Sequence, residues 1–259
     1  MTFDFETPMT FYELIGIVLA ALALIIPFIK WLYEKWFKRL KIDFLISDVI
    51  TIYFNRSGSY INLGGVYKAD NKTATIKNIS AKAIRKADNA MLNLTWSTFP
   101  SPTVKEIGGQ YEHSFETAHP FSANADSLTP VFIEFTDEKT NISEEIAIAI
   151  QPLYTVENSI LNQQGITLID TDKQTHATSE YSDSKVKLYE FCFWKAGKYE
   201  VELITKYDNT EFVKKYNFEL SQDDANKLQG NIENLLVDPI AAHFNARPQY
   251  YSIRKNLSV

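Results

Sequence analysis

The feature that most constrains this chain is an uncharged hydrophobic stretch near its N-terminus, LIGIVLAALALIIPFI, from Leu14 to Ile29. As a helix its sixteen residues rise about 24 Å, against about 30 Å for the hydrocarbon core of a bilayer. Aromatic residues extend the stretch on both sides, and amphipathic rings are favoured at membrane interfaces. We therefore expect a membrane-spanning helix, with the lipid bilayer as its partner.

A buried core helix and a cleaved signal peptide are the alternatives. Apolar runs of roughly ten to fourteen residues are more often core helices, but this run is longer. A secretory signal begins with basic residues, whereas this N-terminus carries Asp4 and Glu6 and no Lys or Arg before the stretch. A membrane anchor is thus the favoured interpretation.

The charges on either side of the stretch predict its orientation. Acidic residues precede it and basic residues follow it, and Lys and Arg next to a membrane span stay on the cytoplasmic side. We therefore expect a single-pass protein of the cell membrane with its N-terminus outside and its C-terminal domain in the cytoplasm. We expect residues 31–41 to continue the helix into the inner headgroup layer. The predicted membrane-interface residues are Lys30, Trp31, Lys35, Trp36, Lys38, Arg39 and Lys41.

Charge and cysteine content limit the partners and the compartment. The net charge is −6, and the first 41 residues hold five bases and four acids, so the rest of the chain carries −7. Nucleic-acid binding needs a basic face, so we expect no nucleic-acid partner. Cys192 is the single cysteine, which excludes an internal disulfide and fits a reducing compartment. Frequent Lys, Asn and Ile suggest a bacterial source.

Residues 42–220 have the pattern of short strands separated by turns. Clear candidates include Val49–Phe54, Met91–Trp96 and Val131–Phe135, and the alternation in Ile146–Ile150, Ile166–Ile169 and Val186–Trp194 predicts further strands. We expect long irregular segments at residues 99–129 and 170–183. Nine or ten strands with no long helix between them predict a mainly β fold, an immunoglobulin-like antiparallel β-sandwich.

One segment supports this fold by resemblance. Ala196-Gly-Lys-Tyr-Glu-Val-Glu-Leu203 resembles the G-x-Y-x-V-x-L opening of a late strand in immunoglobulin-like and PKD-like domains. The resemblance covers about twenty residues and implies the fold alone, because such folds host many functions. The Cys–Trp–Cys core of true immunoglobulin domains is missing.

The period changes after Leu220. Ser221 and Asp224 form an S-x-x-D helix N-cap signature, and Ala225, Leu228, Ile232 and Leu235 follow at helical spacing. We expect a short C-terminal helix that ends before Pro239, and then a loosely ordered or partner-bound tail. The predicted domains are residues 1–41 (tail, transmembrane helix and basic juxtamembrane helix), 42–220 (β-sandwich) and 221–259 (C-terminal helix and tail).

Candidate chemistry is sparse. His113 and His119 lie with two glutamates in the 99–129 segment, a composition that could bind zinc, but no H-E-x-x-H spacing fixes them on one face. Asp170 and Asp172 resemble the start of a calcium loop without its glycine and glutamate. We therefore predict no metal, no cofactor and no catalytic residue.

Cys192 and several tyrosines remain. Strand alternation would place Cys192 on the face opposite Phe191 and Phe193, as a packing residue and not a reactive thiol. Tyr250 with Tyr251, and Tyr181 with Tyr189, are candidates for a recognition surface, although core packing explains such residues more often.

These observations favour a membrane-anchored binding, scaffold or sensor protein whose cytoplasmic β-sandwich recruits a protein partner, and an enzyme is less expected. The first alternative is a membrane-tethered hydrolase or nuclease effector with a site in the segments 99–129 and 171–184. The second is an extracytoplasmic ligand- or glycan-binding domain, if the topology is inverted.

Overall fold

The structure is a computed structural model. It describes residues 11–36, 38–107, 110–139, 141–246 and 248–258, and within residues 101–114 it describes the backbone alone. Asp4, Glu6 and Arg247 lie outside the described residues, as does the side chain of His113.

The hydrophobic stretch forms one long helix, α1 (Phe11–Trp36). Its 26 residues rise about 39 Å, and its most apolar window has a mean hydropathy of 2.4. None of its residues is buried, so α1 is not a core helix of this domain. By length and composition α1 can anchor the chain in a membrane. The helix is shorter than expected at its C-terminal end, because residues 38–40 are not helical and Lys41 opens the first strand.

Among the described residues, ten strands form one antiparallel sheet. Along the sheet the order is β10-β1-β2-β7-β4-β3-β8-β9, with β5 paired to β4 and β6 paired to β3. The strands are β1 (Lys41–Asn55), β2 (Gly58–Asp70), β3 (Ala74–Arg85), β4 (Met91–Ile107), β5 (Gln110–Thr117), β6 (Phe121–Ala123), β7 (Ser127–Asp137), β8 (Gly197–Tyr207), β9 (Thr210–Leu220) and β10 (Ile253–Asn256).

Side-chain alternation decides which face of each strand is buried. In β1, Ile50, Ile52 and Phe54 are fully buried, while Thr51 and Tyr53 between them lie on the outer face. Because successive residues of a strand point to opposite faces, the apolar set lines the inside of the curved sheet and the polar set faces outwards.

The sheet is nearly closed. The two ends of its strand order meet at an antiparallel bridge between Asn217 of β9 and Ser258, just after β10. The Asn217 N–H donates to the Ser258 carbonyl at 2.7 Å and the Ser258 N–H donates back at 2.9 Å. The immunoglobulin-like sandwich is therefore not confirmed. The C-terminal tail is also better ordered than expected, because β10 pairs with residues 49–52 of β1.

Besides α1, the described part of the chain has five helices, which connect strands in two groups. The first group, α2 (Ile142–Leu161), α3 (Leu168–His176) and α4 (Ser179–Phe191), connects the end of β7 to the start of β8. The second, α5 (Gln222–Leu236) and α6 (Asp238–His243), connects the end of β9 to the start of β10. Antiparallel pairing places all four of these strand ends at one end of the barrel, and α1 joins β1 at the opposite end.

The helices correct several sequence predictions. Ile146–Ile150 lies in α2, Ile166–Ile169 leads into α3, and Val186–Trp194 lies mostly in α4, so none of the three is a strand. The expected loop at residues 170–183 is helical. The expected irregular segment 99–129 instead contains the end of β4, all of β5 and β6 and the start of β7.

One core joins the barrel to its helices. Trp194, Tyr199 and Phe135 of the barrel region are buried in the same cluster as Ile146 of α2 and Leu228 of α5. The S-x-x-D signature forms a full capping box at the start of α5, as expected. Because α5 shares the barrel core, residues 221–259 pack as part of the same folded body, while the division into domains stays a prediction.

Candidate functional site

A groove runs along the outer face of β1 and β2, where two pockets share part of their lining. Two adjoining pockets of about 510 and 420 Å³ form it, and both are lined by Thr51, Tyr53 and Asn62. At one end stand Tyr250 and Tyr251, 42% and 39% exposed. At the other end stand Phe115, Phe132 and Pro100. We call this surface the β1–β2 groove.

Strand register builds the floor of the groove. Thr51 of β1 is opposite both Arg254 of β10 and Asn62 of β2. Asn62 is in turn opposite Glu134 of β7, and Glu134 is opposite Thr98 of β4. Because residues in direct register share a face, five strands contribute one continuous polar row, Arg254–Thr51–Asn62–Glu134–Thr98.

Glu134 is the fixed centre of this polar row. The Tyr53 hydroxyl donates a short hydrogen bond to its Oε2, and the Thr98 hydroxyl donates to its Oε1 at 3.2 Å. With its amide nitrogen turned towards Glu134, Asn62 donates to Oε2 at 3.3 Å. Burial, and then the Glu134 carboxylate, raise the pKa of Tyr53 far above its ordinary value, so its hydroxyl keeps its proton. The Tyr53 ring also stacks on Tyr60, with centroids 4.7 Å apart.

Arg56 organises the other end of the groove from the β1–β2 turn. Its guanidinium donates to the Tyr154 hydroxyl at 2.6 Å and lies 3.4 Å from Asp238. The Tyr250 hydroxyl donates to the same carboxylate at 3.0 Å. Asp238 opens α6 and Tyr154 lies on α2, so three separate segments converge on the exposed Arg56 side chain.

Buried Asn231 holds the segment that carries Tyr250 and Tyr251 in place. Its side-chain amide donates to the carbonyls of Phe54 at 3.1 Å and Tyr251 at 2.8 Å. Its carbonyl oxygen accepts from the Tyr251 N–H at 2.7 Å. These bonds hold the segment before β10 against α5 and β1, so the position of Tyr250 and Tyr251 is set by the core.

A buried carboxyl group lies next to the Arg56 end. Glu157 follows Tyr154 by one turn of α2 and is 0% exposed, and neither of its oxygens has a hydrogen-bond partner among the described residues. Burial, and then the nearby Asp238 charge, raise the pKa of Glu157 to about 8. Glu157 is therefore mostly protonated at neutral pH.

The predicted membrane-interface residues lie in the last two turns of α1 and the segment that follows. Lys30, Trp31, Lys35 and Trp36 belong to α1, and the Lys35 ammonium lies 4.8 Å from the centre of the Trp31 ring. Lys38 pairs with Glu34 at 3.9 Å. The Arg39 carbonyl accepts from the Asn71 amide at 3.0 Å, which ties this segment to the β2–β3 turn. Their contact with lipid stays a prediction.

The weaker candidates do not come together. His119 Nδ1 lies 2.9 Å from the carbonyl of Thr117, and Asp172 lies 3.4 Å from His176 on the same helix. Within the described part of the chain, no three His, Cys, Asp or Glu side chains are placed to share a metal ion.

Cys192 and Tyr181 are packing residues. Cys192 ends α4 and does not lie in a strand as expected; burial raises the pKa of its thiol to about 11, which leaves it unreactive. Tyr181 is only 5% exposed, so Tyr181 and Tyr189 do not form a recognition surface. Tyr250 and Tyr251 do line a pocket.

The polar row and the Arg56 cluster were not predicted from the sequence. The alternation in β1 marks Thr51 and Tyr53 as outward-facing, but their neighbours Asn62, Glu134 and Thr98 come from three other strands. One sequence shows no signal for such pairing.

In chemical terms, the groove offers aromatic faces beside fixed donors and acceptors. This is the composition of a recognition site, where aromatic side chains supply contact area and a few placed polar groups supply specificity. Glu134 already accepts three hydrogen bonds, so it suits positioning a ligand better than removing a proton.

Comparison with known proteins adds little to this geometry. No protein-family model and no curated protein matches the sequence. One similar solved structure is a family 123 glycoside hydrolase from Clostridium perfringens, studied for glycolipid glycan hydrolysis. It shares 9% identity over 71% of this chain and 27% of that chain, with a TM-score of 0.31. A similarity this weak supports no argument, so the function must be inferred from the chain's own residues.

Proposed function

We propose that this chain is a single-pass membrane protein whose barrel domain lies in the cytoplasm and recruits a protein partner through the β1–β2 groove. The groove itself carries the proposal: a polar row fixed by hydrogen bonds, flanked by Tyr250 and Tyr251 at one end and by Phe115 and Phe132 at the other. The proposal does not need an immunoglobulin-like sandwich, which stays a prediction.

The anchor and its flanks support the location. α1 is long enough for a bilayer and has no buried residue, and only a short segment separates it from β1. Basic residues follow α1, which favours the cytoplasmic side for the barrel.

The side chains that line the groove support a protein-binding role. Its half-exposed aromatic rings can bury a large area at low entropy cost, because each has only two rotatable side-chain bonds. Arg56 adds a planar donor at one end, and Arg is enriched at protein interfaces. The partner expected here presents one or two apolar side chains beside groups that hydrogen-bond to Asn62.

Two arginine substitutions on the outer face of β2 test the proposal. Asn62→Arg fills the middle of the groove, and Val66→Arg places the same side chain on the same face but outside both pockets. Full-length variants are cross-linked in native membranes, and the captured proteins are quantified by mass spectrometry. We expect a protein captured by the wild type and by Val66→Arg to fall at least tenfold with Asn62→Arg.

Thermal unfolding of both variants verifies that they fold. Equal capture by the wild type, Asn62→Arg and Val66→Arg would mean that the partner does not bind in the β1–β2 groove. If cross-linking with the wild type recovered only the bait, recruitment of a protein would be refuted.

A further inference from the structure

The gap between β1 and β9 is closed by β10 over part of its length and is open over the rest. β10 lies between β1 and β9 and pairs with β1 over residues 49–52, and Ser258 completes the bridge to Asn217. In the described part of the chain, residues 41–46 of β1 and 210–216 of β9 are paired only on the side away from β10, to β2 and β8. We call the space between residues 42–46 and 211–215 the open seam.

Next to the open seam, the width of one strand separates β1 from β9. β10 is antiparallel to β1, and the bridge to β9 is antiparallel as well, so β1 and β9 run parallel to each other. Where β10 separates them, they stand two strand spacings apart, about 9.5 Å. Beyond Ser258 the same two strands continue towards the α1 end with no strand described between them, and an added strand there would continue the line of β10.

Backbone alternation shows which groups face the seam. The N–H and C=O of Asn217 both bond to Ser258, so by alternation those of Glu211, Val213 and Lys215 also point away from β8. On β1, the Phe44 N–H donates to the Asp43 side chain at 2.8 Å, so an added strand can accept from it only if Asp43 is displaced. Strand edges of this kind are ready templates for strand addition.

Lys214 and Asp43 form an ion pair across the open seam. Lys214 lies on the core-facing side of β9, opposite buried Leu203, and pairs across the seam with Asp43 at 2.6 Å. Inward-pointing charges at sheet edges are a device against indiscriminate pairing. Both side chains are about half exposed, and exposed ion pairs contribute little, so a ligand that supplies its own carboxylate can replace Asp43 as the partner of Lys214.

We propose that the open seam binds one extended segment of about five residues from a partner protein, as an added strand with an acidic side chain facing Lys214. The main-chain hydrogen bonds to β1 and β9 give affinity, and Lys214 gives selectivity. This site is separate from the β1–β2 groove.

A proline substitution at Val213 tests the main-chain bonds. The Val213 N–H faces the seam, so Val213→Pro removes a donor to the added strand without breaking a β8–β9 bond. Val213→Ala keeps the donor and is the matched control. The full chain in lipid nanodiscs is used to select ten-residue peptides from a random phage-displayed library, and affinities are measured by fluorescence anisotropy.

We expect enrichment of acidic peptides that bind Val213→Ala like the wild type and bind Val213→Pro at least tenfold more weakly. Lys214→Gln should weaken the same peptides at least tenfold, whereas Lys206→Gln, at an exposed site on β8, should not. If Val213→Pro fails to fold, the comparison of Lys214→Gln with Lys206→Gln decides the outcome.

Three results would overturn the proposal. They are no enrichment of any peptide, enriched peptides whose binding is unchanged by both Val213→Pro and Lys214→Gln, and self-association of the wild-type chain that Val213→Pro abolishes. The last result would assign the seam to a second copy of this chain. Peptides lost with Asn62→Arg alone would bind the β1–β2 groove, which keeps the two sites distinguishable.

Discussion

At the scale of single residues, polar groups inside the helical end of the domain are the least expected feature. Asn231 is fully buried and fully used, with three hydrogen bonds to the segment around it. Glu157 is equally buried and has none among the described residues. A buried carboxyl without partners avoids the cost of its charge by staying protonated, and this makes Glu157 a source of pH dependence.

Glu157→Gln should remove a pH-dependent loss of stability. The pKa of Glu157 is about 8 in the folded protein and near 4.5 in the unfolded chain, so between these values the folded state holds the extra proton. Stability therefore falls as pH rises from about 4.5 to about 8, by at most about 1.4 kcal/mol per pH unit, and is level above that.

Urea denaturation at pH 5, 7 and 9 in detergent measures this effect. We expect the Glu157→Gln free energy of unfolding to depend less on pH than that of the wild type, and to exceed it at pH 9. Glu144→Gln, on the exposed side of the same helix, should follow the wild type. A wild-type stability that rises between pH 5 and pH 8 in parallel with the variant would contradict the assignment.

At the scale of elements, the sequence patterns predicted many strands correctly but did not separate strands from helices in residues 142–194. The alternating Ile-Ala-Ile-Ala-Ile of residues 146–150 fits a strand, but Ile142, Ile146, Ile150 and Leu153 also recur at helical spacing, and that face is buried in α2. In α4, buried Tyr181, Ser184 and Leu188 show the same spacing. The β-branched and aromatic residues of these segments therefore favoured a strand, whereas their periodicity over a longer window indicates a helix.

The N-caps gave a signal that was used once and missed twice. Ser221 and Asp224 form the capping box that marks α5. Thr167 accepts from the Asp170 N–H and Thr178 from the Tyr181 N–H. Both threonines cap helices, although Thr167 lies in a segment predicted as a strand and Thr178 in one predicted as a loop. The groove was not predictable in the same way, because the polar row depends on the register of five strands.

Ser221→Ala should destabilise the domain by about 1 kcal/mol, because it leaves a backbone donor of the first turn of α5 without its acceptor. The control is Ser159→Ala, at an exposed serine within α2, which should change stability by less than about 0.5 kcal/mol. Urea midpoints in detergent compare the two, and equal midpoints would mean that the capping box contributes nothing measurable.

At the scale of the whole molecule, the barrel has two unlike ends. α1 enters at one end, next to the β2–β3 turn that holds the Arg39 carbonyl, and all five other helices described pack at the opposite end. The sequence indicated a helix able to anchor the chain and the mainly β character, because both depend on local composition. It did not indicate the closure of the sheet, because β1 and β10 lie about two hundred residues apart in the chain.

Cysteine labelling should show the barrel in the cytoplasm. Cys192 is buried, so the native chain gives a low background. Lys173→Cys, exposed on α3, should react with a membrane-impermeant maleimide only after cells are permeabilised, and Tyr12→Cys, at the opposite side of the predicted span, should react in intact cells. The reverse pattern would place the domain outside and favour the extracytoplasmic alternative.

The position of β10 in the chain has a consequence for biosynthesis. β1 emerges from the ribosome soon after α1, yet its partner β10 is translated after every other strand of the barrel. Long-range pairing of this kind is slow to form, and unpaired strand edges attract neighbouring chains in the meantime. If α1 anchors the nascent chain as proposed, β1 waits at the membrane without β10, and in this interval the chain is most exposed to misassembly.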